Sequence, residues 1–269
     1  PAVLFMAFSG VNLELRYLAV SASVFVLCLF ALLLGRLLGP VVGIKSPYFP
    51  LLLSGFEAGM LGYAIYGAVY GQENIFRFGI VDLGQVLFVF FVMVPLLERF
   101  ESGARPFRDT IQNFFKTPVI LAILGGILFS QLGLTEVVRS SSVGNSIFET
   151  LALVGALTTP LVALSLGYDL QLRSGSQRYP VLTAGIRLAI WVTIGIALNA
   201  VLVNRLLELP QGFQSAVLTM FVLPPPFVMP LFMSRASSEE RNYVLNTLTL
   251  STVLALFAFA LVSIVYPPL

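Results

Sequence analysis

The feature that most limits what this chain can become is a succession of long apolar runs joined by short polar connections. Eight segments, roughly 17–38, 47–70, 79–97, 117–133, 147–168, 180–203, 213–233 and 243–266, each approach the about 20 mostly apolar residues a helix needs to cross a hydrocarbon core. No connection is long enough for a soluble domain. The longest, 98–116, joins the third and fourth segments. Residues 1–8 are apolar but too short to cross. They read as the end of a span whose beginning is absent from this chain.

Composition agrees with that layout. Hydrophobic residues make up 58% of the chain and charged residues only 10%, against about 25% charged in a soluble domain. Such a composition cannot cover a water-facing surface, nor can it stay disordered. A net charge of +2 without a basic cluster gives nucleic acid nothing to bind. There is no histidine and a single cysteine, Cys28, so neither a histidine base nor a cysteine-based zinc site is expected. No metal, cofactor or nucleotide-binding loop is read from the sequence. Without paired carboxylates or a Ser-His pair, an enzyme is not expected.

Basic residues set the expected topology. Of the 15, Arg16, Arg77, Arg139 and Arg205 fall on one side and the other eleven on the opposite side. The side with eleven is expected to be cytoplasmic, and with it the 98–116 loop.

Two segments are poor as uninterrupted helices. The second holds Gly55, Gly59 and Gly62 around Glu57. A carboxylate at membrane depth costs at least about 2.5 kcal/mol, so it needs a cavity, a partner or a proton. The seventh holds Pro224-Pro225-Pro226. Three prolines in a row lack amide donors and clash with the preceding turn, so this span should split into two half-helices around extended backbone. Such backbone survives at depth only inside protein or on a cavity. Five spans separate the two segments, and an odd offset means opposite directions. That is the pattern of an inverted repeat with two broken helices meeting at the midplane. Half-helix ends there would present amides to anions and carbonyls to cations, which suits a secondary transporter.

The expected substrate-binding or ion-coupling residues are Glu57, Ala58, Gly59, Gly62, Tyr63, Thr159, Pro224, Pro225, Pro226 and Phe227. Thr158 and Thr159 precede Pro160 in the fifth segment. Gln85, Asn246 and Thr247 are read as hydrogen-bonding across helices. Asp169 and Arg187 are read as anchors near the cytoplasmic ends of their spans. Glu57→Gln is expected to fold and even to gain stability, because it removes a buried charge.

Four stretches resemble the auxin efflux carrier family, related to plant PIN-formed carriers and bacterial malate- or malonate-type permeases. They are Pro1-Ala2-Val3-Leu4-Phe5, Gly55 to Tyr63, Thr117-Pro118-Val119-Ile120 with Gly125-Gly126, and Pro160 to Gly167. The resemblance covers essentially the whole chain. It implies an all-α polytopic membrane protein of two inverted five-span repeats, the fold shared with bile-acid symporters and sodium-proton antiporters. Residues 1–97 would form the first half, with residues 1–8 ending its second span and its first span missing, 98–116 the cytoplasmic connecting loop and 117–269 the second half. It further implies an elevator-like transporter of a small organic anion of carboxylate type in the cell membrane, and a possible homodimer. The plant carriers have an asparagine motif where this chain has Glu57, which favours proton coupling here. A sodium-coupled symporter and a ligand-binding sensor on the same fold are the alternatives.

Overall fold

 The computed structural model describes residues 1–10, 14–101, 112, 114–158, 160–161, 164, 172–173 and 176–268. Among them the regular structure is helical throughout.

Five helices are long and apolar enough to cross a membrane: Leu15–Val42, Phe49–Tyr70, Gln72–Phe100, Arg178–Leu206 and Ser238–Val265. The chain is a multi-pass membrane protein. The expected segments 117–133 and 147–168 correspond to shorter helices, Pro118–Gln131 and Ser142–Ala156, the second running on into residues that are only partly described. The third span does not end where the polar loop was expected to begin: its last helical section is Val94–Glu101, and much of 98–116 lies outside the described residues.

Local chemistry sets the boundaries. Leu15–Val42 ends at Gly43, whose φ of 74° lets its amide turn back to Gly39 and Pro40. Pro118 opens its helix at the first position, where an amide would go unused. Ser141 caps Ser142–Ala156 through the Gly144 amide. Ser237 and Glu240 form a reciprocal capping box at the start of Ser238–Val265.

The helices sort into two groups. Ala2–Ser9 packs on Pro118–Gln131 and Ser142–Ala156, with the short helix Leu134–Arg139 beside them. The second group holds Leu15–Val42, Ile75–Phe88, Gln211–Val222, Arg178–Leu198 and Ser238–Val265. Within it, Ile75–Phe88 lies against Leu15–Val42 at backbone distance. A Cβ at Gly84 would fall 1.9 Å from the Ser21 carbonyl oxygen, and the Ser21 hydroxyl donates to the Ile80 carbonyl at 2.6 Å. Small residues allow this approach where lipid offers no hydrophobic drive. The two groups meet where Ala2–Ser9 crosses Ile75–Phe88.

Candidate functional site

Two interruptions lie side by side in the second group. In the first, the α-helix Phe49–Leu53 stops, residues 54–57 are not helical, and the chain resumes as a π-turn, Ala58–Gly62, leading into Tyr63–Tyr70. In the second, Gln211–Val222 stops before the prolines, and Met229–Phe232 follows as a short 3₁₀ turn. The second therefore differs from the two half-helices expected there. Three residues without amide donors, with Pro230 just beyond, leave too few hydrogen bonds to start another α-helix.

Backbone groups freed by the interruptions find specific partners. The Glu57 amide donates to the Pro224 carbonyl at 2.9 Å, joining the two segments directly. The Glu57 carboxylate accepts from the Met60 amide at 2.9 Å and from the Phe227 amide at 2.6 Å. It thus caps its own resumed helix and ties down the other segment. On the carbonyl side stands Arg187, which is 3% exposed. It donates to the carbonyls of Leu52 at 2.9 Å, Gly55 at 2.5 Å and Leu223 at 3.1 Å, and its guanidinium lies 5.1 Å from the Phe56 ring centre. The reading of Arg187 as an interface anchor is therefore corrected. It is a buried cation on carbonyls. Trp191 donates to the Leu53 carbonyl at 2.8 Å. Phe56 stacks on Phe221 and lies edge-on to Trp191.

Charge is matched to backbone polarity: the anion meets amides and the cation meets carbonyls, as helix ends require. Gly55 makes this geometry possible. Its φ is 69°, and a Cβ there would lie 3.0 Å from Pro226 Cγ.

A cavity of about 410 Å³ opens beside the first interruption, between the two helix groups. Pro1 to Leu4, Thr117, Val119, Val154, Gly155 and Thr158 border it from one group; Phe56, Glu57, Gly59, Tyr63, Asp82, Gln85, Pro226 and Val228 are among those bordering it from the other. A larger cavity, about 770 Å³, lies among residues 43–46, 176–180 and 238–246. None of the interrupted backbone borders it, so the smaller cavity is the candidate site.

Of the residues expected from sequence, Glu57, Gly59, Tyr63 and Pro226 border this cavity. Ala58, Gly62, Pro224, Pro225 and Phe227 do not. Ala58 and Gly62 are buried, Gly62 against Phe78 and Leu223, while Pro224 and Phe227 serve Glu57 through their backbone. Thr159 and Asp169 lie outside the described residues. Gln85 reaches the site, whereas Asn246 pairs with the Arg173 backbone.

Sequence reasoning missed Asp82. It is 2% exposed; its Oδ2 accepts from the Tyr63 hydroxyl at 2.8 Å and its Oδ1 from Gln85 Nε2 at 3.1 Å. Gln85 in turn accepts from the Phe56 amide at 3.4 Å. The signal was the one that found Glu57, an acid inside an apolar run. The cavity lining therefore includes two carboxylates, Glu57 and Asp82. Among its described lining residues there is no Lys or Arg.

Fold and cavity together describe a multi-pass membrane protein with a cavity beside interrupted helices. No protein-family model matches the chain. It is similar to two archaeal proteins, each named an uncharacterized transporter. That of Methanothermobacter thermautotrophicus is 26% identical over 211 residues, which is 78% of this chain and 64% of the relative. That of Methanocaldococcus jannaschii is 23% identical over 268 residues, which is 97% of this chain and 84% of the relative. The chain thus spans less than two thirds of the first relative's length.

Proposed function

We propose that this protein is a secondary transporter that moves a small organic anion of carboxylate type together with protons, by an elevator-like alternation of access. The observation that carries the reading is the position of the cavity. It lies between two helix groups, with interrupted backbone on one wall, so sliding one group past the other would carry a bound solute. The names of the two relatives support transport. In this reading the halves 1–97 and 117–269 form the inverted repeat, and the tightly packed group containing Leu15–Val42 and Ile75–Phe88 is the mobile part. The family resemblance supports an auxin-efflux-carrier type of permease.

A cavity bearing Glu57 and Asp82 repels an anion unless protons come with it. The same pair favours a second reading, a cationic or zwitterionic solute with the carboxylates as counter-charges. Flux of radiolabelled malonate and of a radiolabelled amine into proteoliposomes, with and without imposed pH and sodium gradients, separates the readings. Malonate uptake driven by an inward proton gradient is the expected result. Uptake that follows sodium and ignores pH makes the protein a sodium symporter. Amine uptake without malonate uptake establishes the second reading. Ligand binding without flux makes it a sensor.

A further inference from the structure

We infer that Asp82, rather than Glu57, holds the coupled proton and presents it to the substrate carboxylate in the cavity. This rests on the transport reading above.

The two acids are held differently. Both oxygens of Glu57 are engaged by backbone amides from two separate segments, and the resumed helix begins at its side chain. An ionised carboxylate suits all three functions: a helix cap, a cross-tie and a partner for helix-end amides. Removing its charge with each cycle would loosen the contact between the two interruptions. Among the described residues Asp82 has no backbone donor. Its partners are two neutral side chains, Tyr63 and Gln85. Gln85 is fixed by the Phe56 amide, which occupies its oxygen and leaves its nitrogen to face Asp82. The ionisable groups near Asp82 are Tyr63, from the following section of the interrupted helix, and Glu57, which borders the same cavity. No Lys or Arg is among the described lining residues.

Each Asp82 oxygen accepts one hydrogen bond and can take a proton on a remaining lone pair. The proton comes from water on the side to which the cavity is open. The resulting hydroxyl donates to a substrate carboxylate oxygen, and the cavity loses one negative charge as the anion arrives. On release, the proton returns to water on the far side. Proton and anion therefore favour each other's binding by the same factor. Tyr63 and Gln85 are positioning residues that hold Asp82 in both states.

Infrared difference spectra of the purified protein between mildly alkaline and mildly acidic buffer read the site without a known substrate. A protonated carboxylic-acid band should appear on acidification. It should shift when aspartate is labelled with carbon-13 in its side-chain carboxyl. Asp82→Asn should abolish it, Asp82→Glu should restore it at a displaced position, and Glu57→Gln should retain it. A band that ignores the aspartate label, persists in Asp82→Asn or never appears overturns the inference. The labelled parent protein decides the chemistry even where a variant fails to fold. In proteoliposomes loaded with a pH-sensitive dye, malonate should acidify the interior with the parent but not with Asp82→Asn. If the band belongs to Asp82 and malonate does not move, the proton site stands and the transport reading for that substrate fails. If malonate moves and the band is absent, transport stands and Asp82 is structural.

Discussion

The two interruptions solve one problem by opposite means. A helix stopped at membrane depth exposes backbone groups that water cannot reach. At Pro224–Pro226 the sequence removes the donors, so only carbonyls need partners: Pro224 receives the Glu57 amide and Pro226 the Met229 amide. At residues 54–57 the donors remain, and side chains from distant elements satisfy the segment: Gln85 serves Phe56, Trp191 serves Leu53 and Arg187 serves Gly55. The proline segment is stiff by itself. The glycine segment takes its form from its surroundings, which suits a wall that must recognise something.

That contrast can be broken, starting with Arg187. Arg187→Met leaves the carbonyls of Leu52, Gly55 and Leu223 without their cation, and should cost about 3 kcal/mol or more by analogy with breaking a buried ionic contact. The loss is read as a lower midpoint of thermal unfolding in detergent. Arg187→Lys should recover only part of it, because an ammonium cannot fork to both segments. Next comes Gly55→Ala, which forces a side chain into left-handed backbone against Pro226. It should cost about 1–3 kcal/mol by the same measurement.

Glu57→Gln follows, and here the structure reverses the expectation that stability would rise. A glutamine offers one acceptor and one donor, so either the Met60 or the Phe227 amide loses its partner. The expected cost is about 1–3 kcal/mol, that of one buried unsatisfied group. An unchanged or raised unfolding midpoint would show that these amides find other acceptors.

The smallest effect lies far from both interruptions, at exposed Glu14. The Arg16 guanidinium, and then the Tyr17 hydroxyl, hold its carboxyl below the ordinary carboxylate value. A lowered folded-state value means the contribution is present above the unfolded value and is lost as pH falls through the folded one. Glu14→Gln should match the parent in acid and differ little at neutral pH, since exposed pairs are weak. Unfolding midpoints across that range check it.

Apolar length alone made the long helices legible, and Glu57 and the prolines stood out because they violate that pattern. Asp82 was hidden by its place close behind the polar connection near Gln72–Asn74, where an acid reads as part of a span's end. Arg187 shows how depth could have been judged. It follows Arg178 by nine residues, about 13 Å at 1.5 Å per residue, near the middle of a core about 30 Å thick. The partners of Arg187 could not be read, because they are backbone groups that become free only once two distant segments stop being helical.

The three prolines also decide how this protein can be watched at work. Pro224, Pro225 and Pro226 carry no amide proton, so deuterium has nothing to replace at the centre of that segment. Its reporters are the neighbouring amides of Glu57 and Phe227, each bonded across the junction. If the two segments part during a cycle, these amides lose their acceptors together, and isotope should enter both at one common rate.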